Sequence, residues 1–246
     1  MSIDSETDLR GMREVSRVAA IARDALAAAA QPGTTPRDLD ELCGEIYRHH
    51  GAHSAPRHFY SAPVNAFISV NDVIVHGLPT GRRLKDGDLV KIDVTPMLAG
   101  YVSDTATTVV IGVGSRVAKQ LALCAQEAFF SSLQFVRPGN RVREIGRAIE
   151  SCVRSQGFQV VRGLTGHGVG RQIHEEPTIP NYDERRQSDR IRMDSVLAIE
   201  PMISAGSGEV VERSDGWTIC TVDRSVTAHY EHTIVVRDGE PLILTA

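Results

Sequence analysis

Apolar positions near the amino terminus follow the 3.6-residue period of an α-helix. Between Asp8 and Ala30, an alanine-rich segment repeats apolar residues every three to four positions, which predicts one long helix. Thr35 followed by Pro36 is typical of a helix start, and we expect this second helix to run to about His50. The chain is therefore predicted to begin with a pair of helices.

The segments that follow are rich in β-branched residues and are separated by turns. A strand is predicted from Phe67 to His76, with a short turn at Asn71–Asp72. Two further strands, at 89–95 and 101–111, are predicted on either side of a loop at 96–100. The first part of the chain thus combines two helices with several strands.

The same order of elements is predicted a second time. Helices are expected at 115–135 and 141–156, separated by a Pro-Gly-Asn break. Later strands are predicted at 195–200, 217–222 and 230–236. We therefore expect an α+β protein that forms a single domain, with two halves at about 8–111 and 115–246 packed around one central site.

Composition and charge exclude several classes of function. With 24% charged residues and a net charge of −4, the chain lacks the basic surface that nucleic-acid binding requires. It has no apolar run of roughly 18 residues, the length of a membrane span, and its polar, acidic start is unlike a signal peptide. The four cysteines form no CxxC pair and are predicted to be buried thiols of a reducing compartment. We predict a cytoplasmic protein without membrane or nucleic-acid partners, with a monomer as the default.

Two aspartates stand inside predicted strands, where this residue is disfavoured. Asp93 and Asp104 lie in the two strands that flank the 96–100 loop. If these strands form a hairpin centred between Leu98 and Ala99, the aspartates face each other with Cβ atoms roughly 4.5–5.5 Å apart. Two bare carboxylates would repel at this distance, whereas a bound cation would hold both. The alternative is a pair of solvated aspartates on an edge strand.

Histidine and glutamate add candidate ligands in the second half. His167 stands between two glycines, which we interpret as allowing the backbone to come close to a metal or substrate, and His174 follows seven residues later. Glu200 and Glu231 lie in apolar strand segments, where a charge is costly unless it is paired or coordinates a metal. A surface position is the alternative for either glutamate taken alone. A fold of two halves would bring these residues and the aspartates to one cleft.

Four other histidines lie close together in the sequence, at His49, His50, His53 and His58. Such a cluster can indicate a metal site. These residues, however, fall at a helix end and in the loop after it, where histidines are commonly solvated. We predict solvated side chains there.

The candidate ligands and their surroundings resemble those of the type I methionine aminopeptidases. The matching segments are Lys91-Ile-Asp-Val, Gly166-His-Gly-Val-Gly, Ile199-Glu-Pro-Met, Tyr230-Glu-His-Thr-Ile, Asn71-Asp-Val-Ile-Val-His-Gly-Leu-Pro and Asp215-Gly-Trp-Thr. They occur in the order typical of the family, from about residue 8 to residue 244. The resemblance implies the pita-bread fold, in which two αβ halves related by a pseudo-twofold axis enclose a dinuclear metal site.

The resemblance also implies how metals would be held. Asp93 would chelate one divalent ion, and His167 with Glu200 would bind the other. Asp104 and Glu231 would bridge the two ions. Manganese, iron, cobalt and zinc all suit such a set of oxygen ligands with one imidazole.

The implied activity is that of a metal-dependent aminopeptidase. It would remove the initiator methionine from the N-terminal peptide of nascent proteins with a small second residue, and association with the ribosome is a further expectation. Glu200 would move protons for the attacking water, and His174 would stabilise the oxyanion. His76 would contact the scissile amide nitrogen. His76 and His174 would both also bind the substrate.

The chain departs from the family in the region of the substrate pocket. Phe67 stands where a cysteine is usual, and Leu164 stands where an aromatic residue is common. We predict that Phe59, Leu164 and Trp217 build an apolar pocket for the methionine side chain. Two alternatives stay open: a related aminopeptidase with another first-residue preference, and a peptide-binding pita-bread module without catalysis, against which the five retained ligands argue.

Overall fold

The structure is a computed structural model that describes residues 1–246. The helices are α1 (Glu6–Ala29), α2 (Pro36–His49), α3 (Ala55–Tyr60), α4 (Arg116–Ser132) and α5 (Val142–Ser155), with a 3-10 turn at Leu133–Phe135. The strands of the first half are β1 (His53–Ser54), β2 (Phe67–Val70), β3 (Val73–Val75), β4 (Leu89–Val94), β5 (Pro96–Leu98), β6 (Tyr101–Val102) and β7 (Thr105–Val110). Those of the second half are β8 (Gln159–Val160), β9 (Thr165–Gly168), β10 (Glu175–Pro180), β11 (Val196–Ile199), β12 (Met202–Ser204), β13 (Val210–Glu212), β14 (Ile219–Thr221), β15 (Thr227–His229), β16 (Glu231–Val235) and β17 (Leu242–Ile243).

The predicted helix pairs are present in both halves, and local capping explains where they begin. The Ser5 hydroxyl accepts a hydrogen bond from the Asp8 amide at the start of α1. Thr35 and Asp38 form a reciprocal capping box at the start of α2, with Pro36 in the first turn. Helices α1 and α2 cover one core of fifteen buried residues, and α4 and α5 cover another of twenty.

Both helix pairs pack on one face of a single curved antiparallel sheet. Its strand order is β10-β9-β11-β16-β7-β4-β2, with β17 also paired to β16. The halves meet inside this sheet where β7 pairs with β16, and again outside it where β3 pairs with β14. Strands of both halves therefore reach a common centre. The proposed division at 8–111 and 115–246 stays a prediction.

The 96–111 region differs from its prediction in two ways. Residues 96–98 form strand β5, which pairs with β6, and the expected long strand is interrupted at Ser103–Asp104. The hairpin is centred between Ala99 and Gly100, both with positive φ, rather than between Leu98 and Ala99. A two-residue turn of this kind matches the twist of the strands and so sets the register. Asp93 consequently faces Ala106, and not Asp104.

Several smaller features complete the fold. His49, His53 and His58 are exposed, as expected for solvated histidines, and His50 is half-buried. Residues 55–60 form the unpredicted helix α3 rather than a loop. All four cysteines are free thiols, and Cys152 alone among them is not fully buried. None of the helices combines the length and the hydropathy that crossing a bilayer requires.

Candidate active site

Adjacent strands of the central sheet place three of the acidic residues in one row. Asp93 on β4 and Glu231 on β16 both pair with Ala106 on β7, so the small, buried Ala106 separates the two carboxylates. Ile199 pairs with His232, and continuing this register by one residue sets Glu200 beside Glu231. Residues that pair directly on neighbouring strands point to the same face of a sheet. The carboxylates of Asp93, Glu200 and Glu231 therefore lie on one face.

Asp104 joins the row from the break between β6 and β7. Its amide donates to the Thr233 hydroxyl (2.9 Å), which in turn donates to the Asp104 carbonyl (2.8 Å). The Thr95 hydroxyl donates to the Asp104 carboxylate at 3.0 Å. These contacts replace the strand ladder that the break interrupts, and they fix Asp104 beside Asp93 although the two residues do not pair directly.

His167 enters the site from β9. Its Nδ1 lies 2.9 Å from the Gly168 carbonyl, and its Nε2 lies 3.3 Å from Glu200. The first contact fixes the ring so that Nε2 faces the carboxylates. The glycines beside it are also required by the packing of the strands. A Cβ atom on Gly166 would lie 2.5 Å from the Ala198 carbonyl, and one on Gly168 would lie 2.3 Å from the Glu176 carbonyl, so the glycines permit close strand packing.

The electrostatics of this cluster reflect burial and like charge. Burial and the neighbouring Asp104 and Glu200 raise the pKa of Asp93 well above its usual range, and burial with Asp104 does the same for Glu231. Burial raises the pKa of Asp104 to about 6. Burial would also raise the pKa of Glu200, but the imidazoles of His167 and His229 lower it to about 2. The ion pair with Glu200 outweighs burial and raises the pKa of His167 to about 9.

His76 and His174 both line the same cavity. His76 follows β3 with a φ of 57°, a left-handed conformation that is uncommon for a non-glycine residue. Burial lowers its pKa and favours the neutral ring. His174 stands at the exposed rim, with its ring centroid 4.5 Å from that of His167.

The cavity contains only part of the predicted substrate pocket. It has a volume of about 90 Å³, and its apolar lining consists of Val75, Leu164 and Met202. Neither Phe59 nor Trp217 lines it. Phe59 packs into the core around α1, and Trp217 contacts the site indirectly through Phe67.

Phe67 is the link between Trp217 and the site. Its ring centroid lies 4.8 Å from that of His76 and 6.1 Å from that of Trp217. Phe67 is 5% exposed and belongs to a small apolar cluster with Ala62 and Val64. Phe67 therefore packs against the His76 ring and connects it to this apolar cluster.

Two residues of the site were missed by the sequence analysis. The Tyr60 hydroxyl lies 2.7 Å from His174 Nδ1, a contact made possible by helix α3. A six-residue helix carries too little periodicity to be predicted. His229 is 1% exposed, and its Nε2 lies 3.5 Å from Glu200 and 3.8 Å from Glu231. A signal for His229 was available, because it stands two residues before Glu231 in the sequence, although the structure ends β15 at His229 and begins β16 at Glu231.

The donor set fits divalent cations. Asp93 Oδ1 and Glu231 Oε1 are buried without any hydrogen-bond partner, and such atoms are costly to desolvate unless they bind something. Two groups of three side chains bring their ligand atoms within 4.8 Å of one another: Asp104, His167 and Glu231, and also Glu200, His229 and Glu231. Asp93 belongs to neither group but lines the same cavity, so all four carboxylates and His167 surround one space, where positive charge would relieve their mutual repulsion.

Comparisons with curated proteins connect this arrangement to a known family. Methionine aminopeptidase 2 of Bacillus subtilis is 42% identical over the whole chain and 99% of its own length. Methionine aminopeptidase of Escherichia coli is 39% identical over the whole chain and 94% of its own length. The similarity is thus high and extends from end to end.

Solved structures agree in fold. Methionine aminopeptidase from Thermotoga maritima superposes with a TM-score of 0.95 at 35% identity, covering 100% of this chain and 99% of that one. Prolidase from Pyrococcus furiosus, at 19% identity, shares the fold alone, with a TM-score of 0.79 over 98% of this chain and 64% of its own. The predicted α+β pita-bread fold is confirmed. A sequence model of metallopeptidase family M24 matches residues 10–238, and the chain belongs to this family of metal-dependent peptidases.

Proposed function

We propose that this protein is a metal-dependent aminopeptidase that removes the N-terminal methionine from proteins and peptides with a small second residue. The observation that carries the proposal is the cluster of four carboxylates and His167, all buried except the half-buried Asp93, around one small cavity. Full-length relatives that are named methionine aminopeptidases support the same activity.

The ligands would hold two divalent ions. We propose that Asp93 would hold one ion, that His167 and Glu200 would hold the other, and that Asp104 and Glu231 would contribute to both. The burial of Asp104 and Glu231 and the partnerless oxygens of Asp93 and Glu231 support this assignment. Manganese, iron, cobalt and zinc are all compatible with the donor set.

The bound ions would supply Lewis acidity that activates water and polarises the first peptide carbonyl. Glu200 is the proposed proton carrier, because its carboxylate lines the cavity beside His167, within reach of a water activated there. His174 at the rim would donate a hydrogen bond to the developing oxyanion. His76 would contact the amide nitrogen of the scissile bond, and the adjacent Phe67 ring would hold it in place.

The cavity supports a substrate with one apolar side chain. Val75, Leu164 and Met202 form its apolar wall and would contact the methionine side chain. Phe59 and Trp217 do not line the pocket, and we propose that they support the residues that do. Because the rest of the lining is polar or charged, only the first residue of the substrate would be enclosed.

Nascent chains would be the natural substrates in the cytoplasm. Four free cysteines support a reducing compartment, and the relatives compared above are bacterial enzymes. We propose a monomer that works near the ribosome, where initiator methionines first become accessible.

Hydrolysis of matched peptides tests the proposal. Metal-stripped protein would be given Mn²⁺, Co²⁺ or Fe²⁺ and assayed with Met-Ala-Ser and Leu-Ala-Ser, and Asp104→Asn would serve as the site variant. Metal-dependent release of methionine alone, lost in the variant, is expected. Release of leucine instead would keep the chemistry and change the specificity. No release with any metal would refute the proposal.

A further inference from the structure

His229 is a buried histidine that the proposed mechanism does not use. It closes strand β15, pairs with Met202 on β12, and is 1% exposed. Its backbone is fixed by Thr108, whose hydroxyl accepts from the His229 amide and donates to the His229 carbonyl, both at 2.8 Å. The imidazole is thus held next to Glu200 and Glu231.

Neither ring nitrogen of His229 has a hydrogen-bond partner. The other buried histidine of the same segment, His232, behaves differently, because its nitrogens contact the hydroxyls of Thr245 (2.8 Å) and Tyr230 (3.0 Å). Glu200 and Glu231 are the nearest charged neighbours of His229, but a buried imidazole whose ring nitrogens make no hydrogen bond still bears a desolvation cost. The surroundings of His229 therefore require a further partner.

The distances around His229 suit a shared cation better than hydrogen bonds. Its Nε2 lies 3.5 Å from Glu200 Oε2 and 3.8 Å from Glu231 Oε2, beyond the 2.7–3.2 Å range that is typical of N–H···O hydrogen bonds. Two ligand atoms bound to one cation at about 2.1 Å are separated by roughly 3.0–3.6 Å for bond angles between a right angle and a trigonal angle. The separation of 3.5 Å falls within this range, and that of 3.8 Å lies slightly above it.

Glu200 has one oxygen for each histidine. Its Oε1 faces His167 Nε2 at 3.3 Å, while Oε2 faces His229. We propose that His229 is a direct metal ligand, which gives the centre a second imidazole beside that of His167. This inference rests on the proposed metallopeptidase function and adds a ligand to its site.

A second imidazole changes which metals the site prefers. Imidazole suits iron, cobalt and zinc, whereas an almost entirely carboxylate site suits manganese and magnesium. His229 is therefore expected to favour cobalt, iron and zinc over manganese. Its removal should weaken the binding of Co²⁺ more than the binding of Mn²⁺.

X-ray absorption at the cobalt edge tests the ligand directly. The full-length protein, loaded with two equivalents of Co²⁺, is expected to show on average one imidazole per metal, where His167 alone would give one per two metals. His229→Ala and His229→Gln should both reduce the count to the lower value. Calorimetric titration should show Co²⁺ affinity reduced by about a hundredfold or more, since loss of groups that only orient ligands costs about 10- to 100-fold. His53→Ala, at an exposed position, is the control and should leave both measurements unchanged.

The outcomes separate this inference from the proposed function. A wild-type count of one imidazole per two metals, or a count that the His229 variants leave unchanged, would overturn it even if affinity falls, because His229 would then only orient Glu200. The wild-type count decides the question if both variants fail to fold. Failure of the wild-type protein to bind Co²⁺ at all would instead refute the proposed metallopeptidase site.

Discussion

Neutralising Asp104 should stabilise the metal-free protein while abolishing its metal binding. Burial raises the pKa of Asp104 from 3.8 to about 6. The folded state therefore binds a proton more tightly than the unfolded state does. Ionised Asp104 therefore lowers the free energy of unfolding. This loss is absent below about pH 4, grows as the pH rises towards about 6, and is complete above that value. A difference of about two pKa units corresponds to roughly 3 kcal/mol.

Asp104→Asn removes this cost and keeps most contacts. The Asn carbonyl oxygen can still accept from Thr95, and its amide can donate to the adjacent Asp93, so no new unpaired group is required. The loss of attraction to His167 offsets part of the gain. We expect a net stabilisation of about 2 kcal/mol near pH 7.5, or a melting temperature higher by roughly 4–8 °C. Near pH 4.5 the advantage should shrink to about 1 kcal/mol or less.

Urea unfolding with and without a chelator provides the assay. With chelator, Asp104→Asn should have a higher free energy of unfolding than the wild type. With Co²⁺ at about one hundred times its Kd, the free energy of unfolding of the wild type should rise by about 2.7 kcal/mol, and that of the variant should not change. Asp88→Asn is the matched control and should lower the free energy of unfolding. Asp88 accepts hydrogen bonds from the Arg82 guanidinium, which lower its pKa, so its charge stabilises the folded state. A metal-free Asp104→Asn protein that is less stable than the wild type at pH 7.5, with Asp88→Asn destabilised as expected, would refute this account of the cluster.

Three further substitutions test separate parts of the site. Gly166→Ala would bring a Cβ atom to 2.5 Å from the Ala198 carbonyl. We therefore expect the free energy of unfolding to fall by about 1–3 kcal/mol and the metal affinity to fall with it. Unchanged affinity in calorimetry would contradict this. Tyr60→Phe removes the hydroxyl next to His174 Nδ1 and should lower kcat/KM about three- to tenfold without changing the melting temperature, because Tyr60 is 46% exposed; equal kinetics would mean that His174 needs no such support. Leu164→Ala should raise KM for Met-Ala-Ser roughly tenfold with kcat nearly constant, whereas a fall in kcat alone would place Leu164 outside the methionine pocket.

The sequence predicted those elements that local periodicity determines. The helix pairs α1–α2 and α4–α5 have clear amphipathic patterns and capping residues, and they begin and end within a few residues of the expected positions. The strands that carry Asp93 and Glu231, and the strand that ends just before Glu200, were also found, because β-branched residues are concentrated there. Helix α3 was not predicted, since one and a half turns give no period to detect.

The register of the central hairpin could not be derived from strand pattern alone. It depends on which two residues form the turn, and both Leu98–Ala99 and Ala99–Gly100 are compatible with the flanking sequence. The positive φ values of Ala99 and Gly100 select the second option and move the pairing partner of Asp93 to Ala106. Asp104 still reaches the site because the strand is interrupted at Ser103–Asp104. The alternation of side chains along a regular strand does not predict such a break.

The position of Ala106 explains why the carboxylates can lie so close together. Asp93 and Glu231 flank this residue on neighbouring strands, and a larger side chain would occupy the space between their carboxylates. The sheet thus keeps room for cations at the place where charge repulsion is greatest. Folding without metal must bear that repulsion, which the raised pKa values of Asp93, Asp104 and Glu231 reflect. Metal binding and stability are consequently linked through the same residues, so a substitution that stabilises the metal-free sheet by removing a charge should weaken the metal site.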